Sequence, residues 1–167
     1  ANRVESYTLR TQSGSVELGC DIKAQRWSVL RPLKSKANDD IVYTLLDELL
    51  KLKATGFVSR DSAAAADAPS PNRMDAQTAI FTINPVKGES YKIALRELPD
   101  EDKMLATVSG RSDIFQLDGN YVSRLPKDTN QLRYPLLADI DPNGVARIKI
   151  ESLSDPDVDL RHDGYGW

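Results

Sequence analysis

The residues best spaced for chemistry lie near the end of the chain. Asp139-x-Asp141-x-Asn143-Gly144 matches the first half of a calcium loop. In such a loop, oxygens at positions one, three and five ligate the ion and glycine at six makes the turn. The bidentate acid at position twelve would be residue 150, which is Ile150; Glu151 comes one place late. No flanking helices are evident, and the expectation is a capped turn with no metal. His162 is the single histidine, set in Arg161-His162-Asp163-Gly164, where it reads as a solvated residue and not as a general base. The acids Asp100, Glu101 and Asp102 after Pro99 crowd one charged turn instead of forming a spaced acid/base pair. No Gly-x-Ser-x-Gly elbow, phosphate loop or dinucleotide fingerprint occurs. The sequence therefore designates no catalytic, cofactor-binding or metal residue, and the expected function is not enzymatic.

Binding chemistry has a little more to offer. Tyr91, Tyr121, Tyr134 and Trp27 could line a groove for sugar or peptide, although single aromatics on strands mostly belong to the core. Cys20 is the only cysteine, so neither an intrachain disulfide nor a cysteine-cluster metal site can form. Leu18-Gly19-Cys20-Asp21 superficially matches a lipoprotein cleavage site. No apolar run precedes it, however, and Glu17 occupies a place that wants an aliphatic residue, so a half-buried thiol is expected. A net charge of −3 argues against nucleic acid, which needs a basic face. The charge is uneven: residues 139–167 carry −4, leaving +1 for the rest.

The elements that must position these residues follow from patterning. With 167 residues, 40% hydrophobic and 28% charged, the chain suits one domain or slightly more. Residues 4–20 read as a hairpin turning at Ser13-Gly14, and Trp27 to Leu30 as a third strand stopped by Pro32. From Asn38 to Lys53, Ile41, Val42, Leu45, Leu46, Leu49, Leu50 and Leu52 recur at helical spacing and give one apolar face. Asn38 suits its cap, Asp39 and Asp40 its positive end, and Gly56 its termination. Phe57-Val58 restarts an extended run. Residues 61–75, rich in Ala, Ser, Asp and Pro, predict an exposed, protease-sensitive loop. Strands at 78–84, 91–95 and 103–109 predict an antiparallel meander, with 114–117 a fourth short extended piece; Asn120 to Leu125 is ambiguous, with Asp118 or Asn120 able to cap a short helix ended by Pro126. Leu136-Leu137 and Val145 to Ile150 read as closing strand sequence.

One internal similarity crosses the chain. Val4-x-x-Tyr7-x-Leu9, Val16-Glu17-Leu18 and Trp27 are mirrored by Val145-x-x-Ile148-x-Ile150, Val158-Asp159-Leu160 and Trp167. The expected organisation is a single α+β module over 1–138. Residues 139–167 would be either its closing strand or the start of a second copy, with dimerisation through the tail one consequence of the latter. The expected fold class is α+β: a largely antiparallel sheet with one main amphipathic helix, about 38–53, packed on a face.

Trp27-Ser28-Val29, Pro32, the leucine helix and Leu52-x-Ala54-x-x-Phe57-Val58 together resemble the opening of the bacterial family called domain of unknown function 4340. Leu132-Arg133, Leu136-Leu137-Ala138-Asp139, Pro142 and Val145-x-x-Ile148-x-Ile150 resemble its second signature. The resemblance implies an extracytoplasmic body anchored in a bacterial membrane by an N-terminal segment lying before these residues. It also implies protein partners among the subunits of ATP-binding-cassette transporters. The expected function is thus a non-enzymatic interaction module of a transport complex. A glycan- or peptide-binding domain and, third, a hydrolase stand as the other readings.

Overall fold

The computed structural model describes residues 4–75, 77–98, 102–135, 144–151, 156 and 158–161. It falls into two compact units, Ala1–Tyr134 and Pro135–Trp167.

The first unit is built on a nine-stranded sheet: β1 (Val4–Thr11), β2 (Gly14–Asp21), β3 (Arg26–Arg31), β4 (Ser35–Lys36), β5 (Ala54–Val58), β6 (Thr78–Pro85), β7 (Tyr91–Glu97), β8 (Lys103–Val108) and β9 (Ile114–Asp118). All neighbours are antiparallel, in the order β4-β3-β2-β1-β6-β7-β8-β9-β5. Against these stands one α-helix among the described residues, α1 (Asp39–Lys51). The α+β class expected from the sequence is therefore corrected: the protein is mostly β, and the helix is a single insert within the sheet's strand order. Periodicity located the leucine helix well. It underweighted the many short strands, each of which adds only two to eight residues to the pattern.

Alternation explains the core. Tyr7 and Leu9 of β1 stand opposite Leu18 and Val16 of β2, and opposite Ile83 and Phe81 of β6, so one face carries a continuous apolar band. Trp27 and Val29, then Leu95, Met104, Ala106 and Leu117, extend that band across the sheet. Helix α1 lays Val42, Leu45, Leu46 and Leu49 upon it, while Ile41 and Leu50, expected on the same face, are exposed. Asn38 caps the helix by accepting from the Ile41 N–H. Leu52 turns extended and ends it. Gly56, expected as the terminator, instead lies inside β5, which starts three residues earlier than the apolar run suggested.

The chain path constrains the sheet further. Helix α1 connects β4 at one edge to β5 at the other. A flat sheet of this width would separate those edges by about 38 Å. The twelve rises of the helix supply about 18 Å, and the six extended steps flanking it about 20 Å more. The connection is thus just long enough to run from one edge to the other across the face that α1 covers.

The second face is covered too. Ile80, Ala94, Leu105 and Ile114 are buried but stand outside the core of the helix side. The segment after β5, with a 3-10 turn at Ala63–Asp67, is pinned along this side. Arg60 Nε donates to the Ser112 carbonyl at 2.9 Å, Thr107 Oγ1 to the Pro69 carbonyl at 2.8 Å, and Arg96 to the Asp67 carbonyl at 3.1 Å. Pro69 itself is buried. The segment 61–75 is mostly exposed, as the sequence predicts, with Pro69 alone buried among its described side chains, but it is held to the strands at the Asp67 and Pro69 carbonyls.

The second unit contains β10 (Arg147–Ile150) and β11 (Val158–Arg161), an antiparallel pair forming its own two-stranded sheet. Leu136-Leu137, Trp167, His162 and the calcium-loop residues Asp139, Asp141 and Asn143 lie outside the described residues.

Candidate functional site

The two edges of the main sheet differ. Along β4, residues 132–134 add a further layer of backbone pairing: Ala37 bridges Arg133, the Tyr134 N–H donates to the Lys36 carbonyl at 3.0 Å, and the Asn38 N–H to the Leu132 carbonyl at 2.8 Å. Arg133 Nε also donates to Ser35 Oγ at 3.0 Å. That edge is occupied. At the opposite edge, β5 pairs with β9 on one side, and among the described residues no strand pairs with the other. A register shift between Ala54 and Gly56 twists the start of β5, a common protection of sheet edges. Beyond it, Gly56, Phe57 and Val58 pair regularly with Gln116, Phe115 and Ile114.

Phe57 is 70% exposed, the most exposed large apolar side chain among the described residues. Its ring lies 5.5 Å from that of Phe115, and Arg111 stacks on the other ring of the pair, 4.9 Å from the Phe115 centroid. Beside them opens an apolar groove of about 240 Å³. Its walls are Leu49 and Leu52 from the end of α1, and Ile93, Val108, Phe115 and Leu117 from the sheet. The groove exists because the helix ends at Lys51 while the strands continue. An unpaired backbone, an exposed aromatic and an apolar trough meet here, which suits an added strand carrying large side chains on alternate positions.

The aromatics singled out in the sequence do not assemble into a binding groove. Trp27 and Tyr121 are buried in the core, Tyr91 packs partly against it, and Tyr134 lies beneath the Lys36 ammonium at 4.2 Å. The aromatics of the open edge, Phe57 and Phe115, carry no special spacing. Their only sequence signal was an apolar pair in short strands, and it is the strand order that brings them side by side. Cys20 sits within β2 opposite Trp27. Burial, then the nearby Asp21 and Asp39 carboxylates, push its thiol ionisation up, which disfavours the reactive thiolate.

A larger, shallow groove of about 580 Å³ lies on the other face, between the strap residues Pro69–Asn72 and the β8–β9 turn. Hydroxyls of Ser70, Thr82, Ser90, Thr107, Ser109 and Ser112 line it. Its cations are committed to structure: Arg60 to Ser112, Lys92 to Asn72 Oδ1 at 3.2 Å, and Arg111 to Asp113 at 3.4 Å. Its one acid, Asp113, is thereby paired, and the arrangement offers hydrogen bonds rather than acid/base chemistry. Among the described residues, no three metal-ligating side chains come together. No described helix is long and apolar enough to cross a membrane.

Comparison with protein-family models, curated proteins and solved structures returns no match to the chain.

Proposed function

We propose that this protein is a non-enzymatic binding module that captures an extended segment of a partner protein along β5, with the partner's apolar side chains entering the groove beside Phe57. The observation that supports this reading is the 70% exposed phenylalanine on the sheet's unpaired edge. A solvent-facing aromatic next to a free row of backbone donors and acceptors is costly to retain in a protein without a partner there. Main-chain pairing would supply affinity and the groove specificity. The extracytoplasmic setting, and a partner among the subunits of an ATP-binding-cassette transport complex, rest on the sequence resemblance described above.

A photo-crosslinking residue placed at position 57 in the bacterial envelope tests the proposal. The expected result is a defined adduct with a membrane transport subunit, lost when Ala54→Asp places a charge at an exposed position lining the groove. Absence of any defined adduct from position 57, or the same adduct forming as readily from Ile22 in the β2–β3 turn, would overturn it. The hydroxyl-lined groove at Pro69–Asn72 favours a second reading, a glycan-binding domain; titration with neutral oligosaccharides that shifts the Ser109 and Ser112 amide resonances would support that instead.

A further inference from the structure

The two hairpins of the chain share one register. In the first, Ser6, Tyr7, Thr8 and Leu9 face Gly19, Leu18, Glu17 and Val16. In the second, Arg147, Ile148, Lys149 and Ile150 face Arg161, Leu160, Asp159 and Val158. Shifting the first strand by 141 residues and the second by 142 superposes all four pairs. The extra residue lies in the connection, which is one residue longer in the second hairpin. Apolar alternation alone does not produce this. It sets which residues share a face, but slips of two residues preserve that face while changing every partner. Glu17 and Asp159 place an acid at the same position of the opposite face, each bridged to an arginine, Arg31 and Arg147 respectively.

The matched faces differ in what covers them. Tyr7, Leu9, Val16 and Leu18 are at most 6% exposed, beneath α1 and Trp27; Ile148, Ile150, Val158 and Leu160 are 40–54% exposed. Two such tail faces packed together would bury only a few hundred Å², short of the roughly 800 Å² per partner of a stable interface. The apolar face therefore calls for something larger than another hairpin.

We infer that β10–β11 is the first hairpin of a second copy of the module, and that its apolar face is the seat of a second set of the elements found in residues 28–134: a strand, a leucine helix and the strand that flanks β1. This goes beyond the docking of a partner on β5 and does not depend on it. The test is a chain in which Ser28–Tyr134 is repeated directly after Trp167. Amide hydrogen exchange at Ile148–Ile150 and Val158–Leu160 is expected to slow at least 100-fold relative to the parent chain, towards the rates of Tyr7–Leu9. Carrying Ile148→Asp and Leu160→Asp in the extended chain should abolish that protection while leaving exchange at Tyr7–Leu9 unchanged. Unaltered exchange in the tail hairpin of the extended chain, whether or not the added segment folds, would overturn the inference. Equal protection with both aspartates present would overturn it too.

Discussion

Two tyrosines of the same core make opposite demands on their hydroxyls. Tyr121 donates to the Leu45 carbonyl at 2.9 Å and ties the segment after β9 to the helix. Tyr7, equally buried, has no hydrogen-bond partner for its hydroxyl among the described residues. Tyr121→Phe should cost about 1 kcal/mol, whereas Tyr7→Phe should be neutral or stabilising by up to about 1 kcal/mol, as read by urea unfolding at pH 8. Burial raises both ionisations well above the tyrosine range, reinforced at Tyr7 by Tyr121 and at Tyr121 by Glu48, with Arg124 opposing the latter. The folded protein thus holds these protons where the unfolded chain loses them. Stability is complete below about pH 10 and declines as pH rises beyond it. Repeating the unfolding at pH 11 should show that Tyr7→Phe removes part of the decline; an identical loss in parent and variant would contradict the burial argument.

At the scale of elements, α1 is the piece that covers one face of the sheet. Its N-terminus is tied to β3 by the Trp27 N–H donating to Asp39 Oδ1 at 2.7 Å, and by the Arg26–Asp39 pair at 3.1 Å. Leu46→Asp or Leu49→Asp would place an unpaired charge between helix and sheet. Each should destabilise the unit by more than about 4 kcal/mol and abolish cooperative melting in circular dichroism. Leu50→Asp, on the exposed side of the same helix, should melt within a few degrees of the parent. The heptad-like spacing revealed the helix and four of its buried residues. It did not distinguish Leu50 and Ile41, because seven apolar positions mark a wider stripe than the sheet covers. The strap over the second face was illegible for a different reason. Its anchors are backbone carbonyls reached by Arg60, Arg96 and Thr107, and carbonyls leave no mark in the sequence.

For the whole molecule, every pairing of the nine-stranded sheet is supplied by residues up to 118, and the cover of its β4 edge by residues up to 134. A chain ending at Tyr134 should consequently melt within about 3 °C of the full chain. One ending at Lys127 loses buried Leu132 and the bridges along β4, and should lose several kcal/mol. Differential scanning calorimetry of the two truncations separates these outcomes, and equal melting of both would show that the 132–134 layer contributes nothing.

Local chemistry alone determined the hairpin at 4–20, the capped leucine helix, the strands of the meander and the absence of any recognisable catalytic motif. Each depends on neighbours within a few residues, where alternation, caps and turn formers act. The mostly-β class, the strand order and the choice of β5 as the open edge were decided only in three dimensions. They depend on which strands become neighbours, and strand order is set by the summed burial of both faces across more than a hundred residues. Phe57 shows the difference most clearly: in the sequence it is one more apolar residue after a glycine, and only its place at the end of the sheet leaves it in solvent beside an apolar groove.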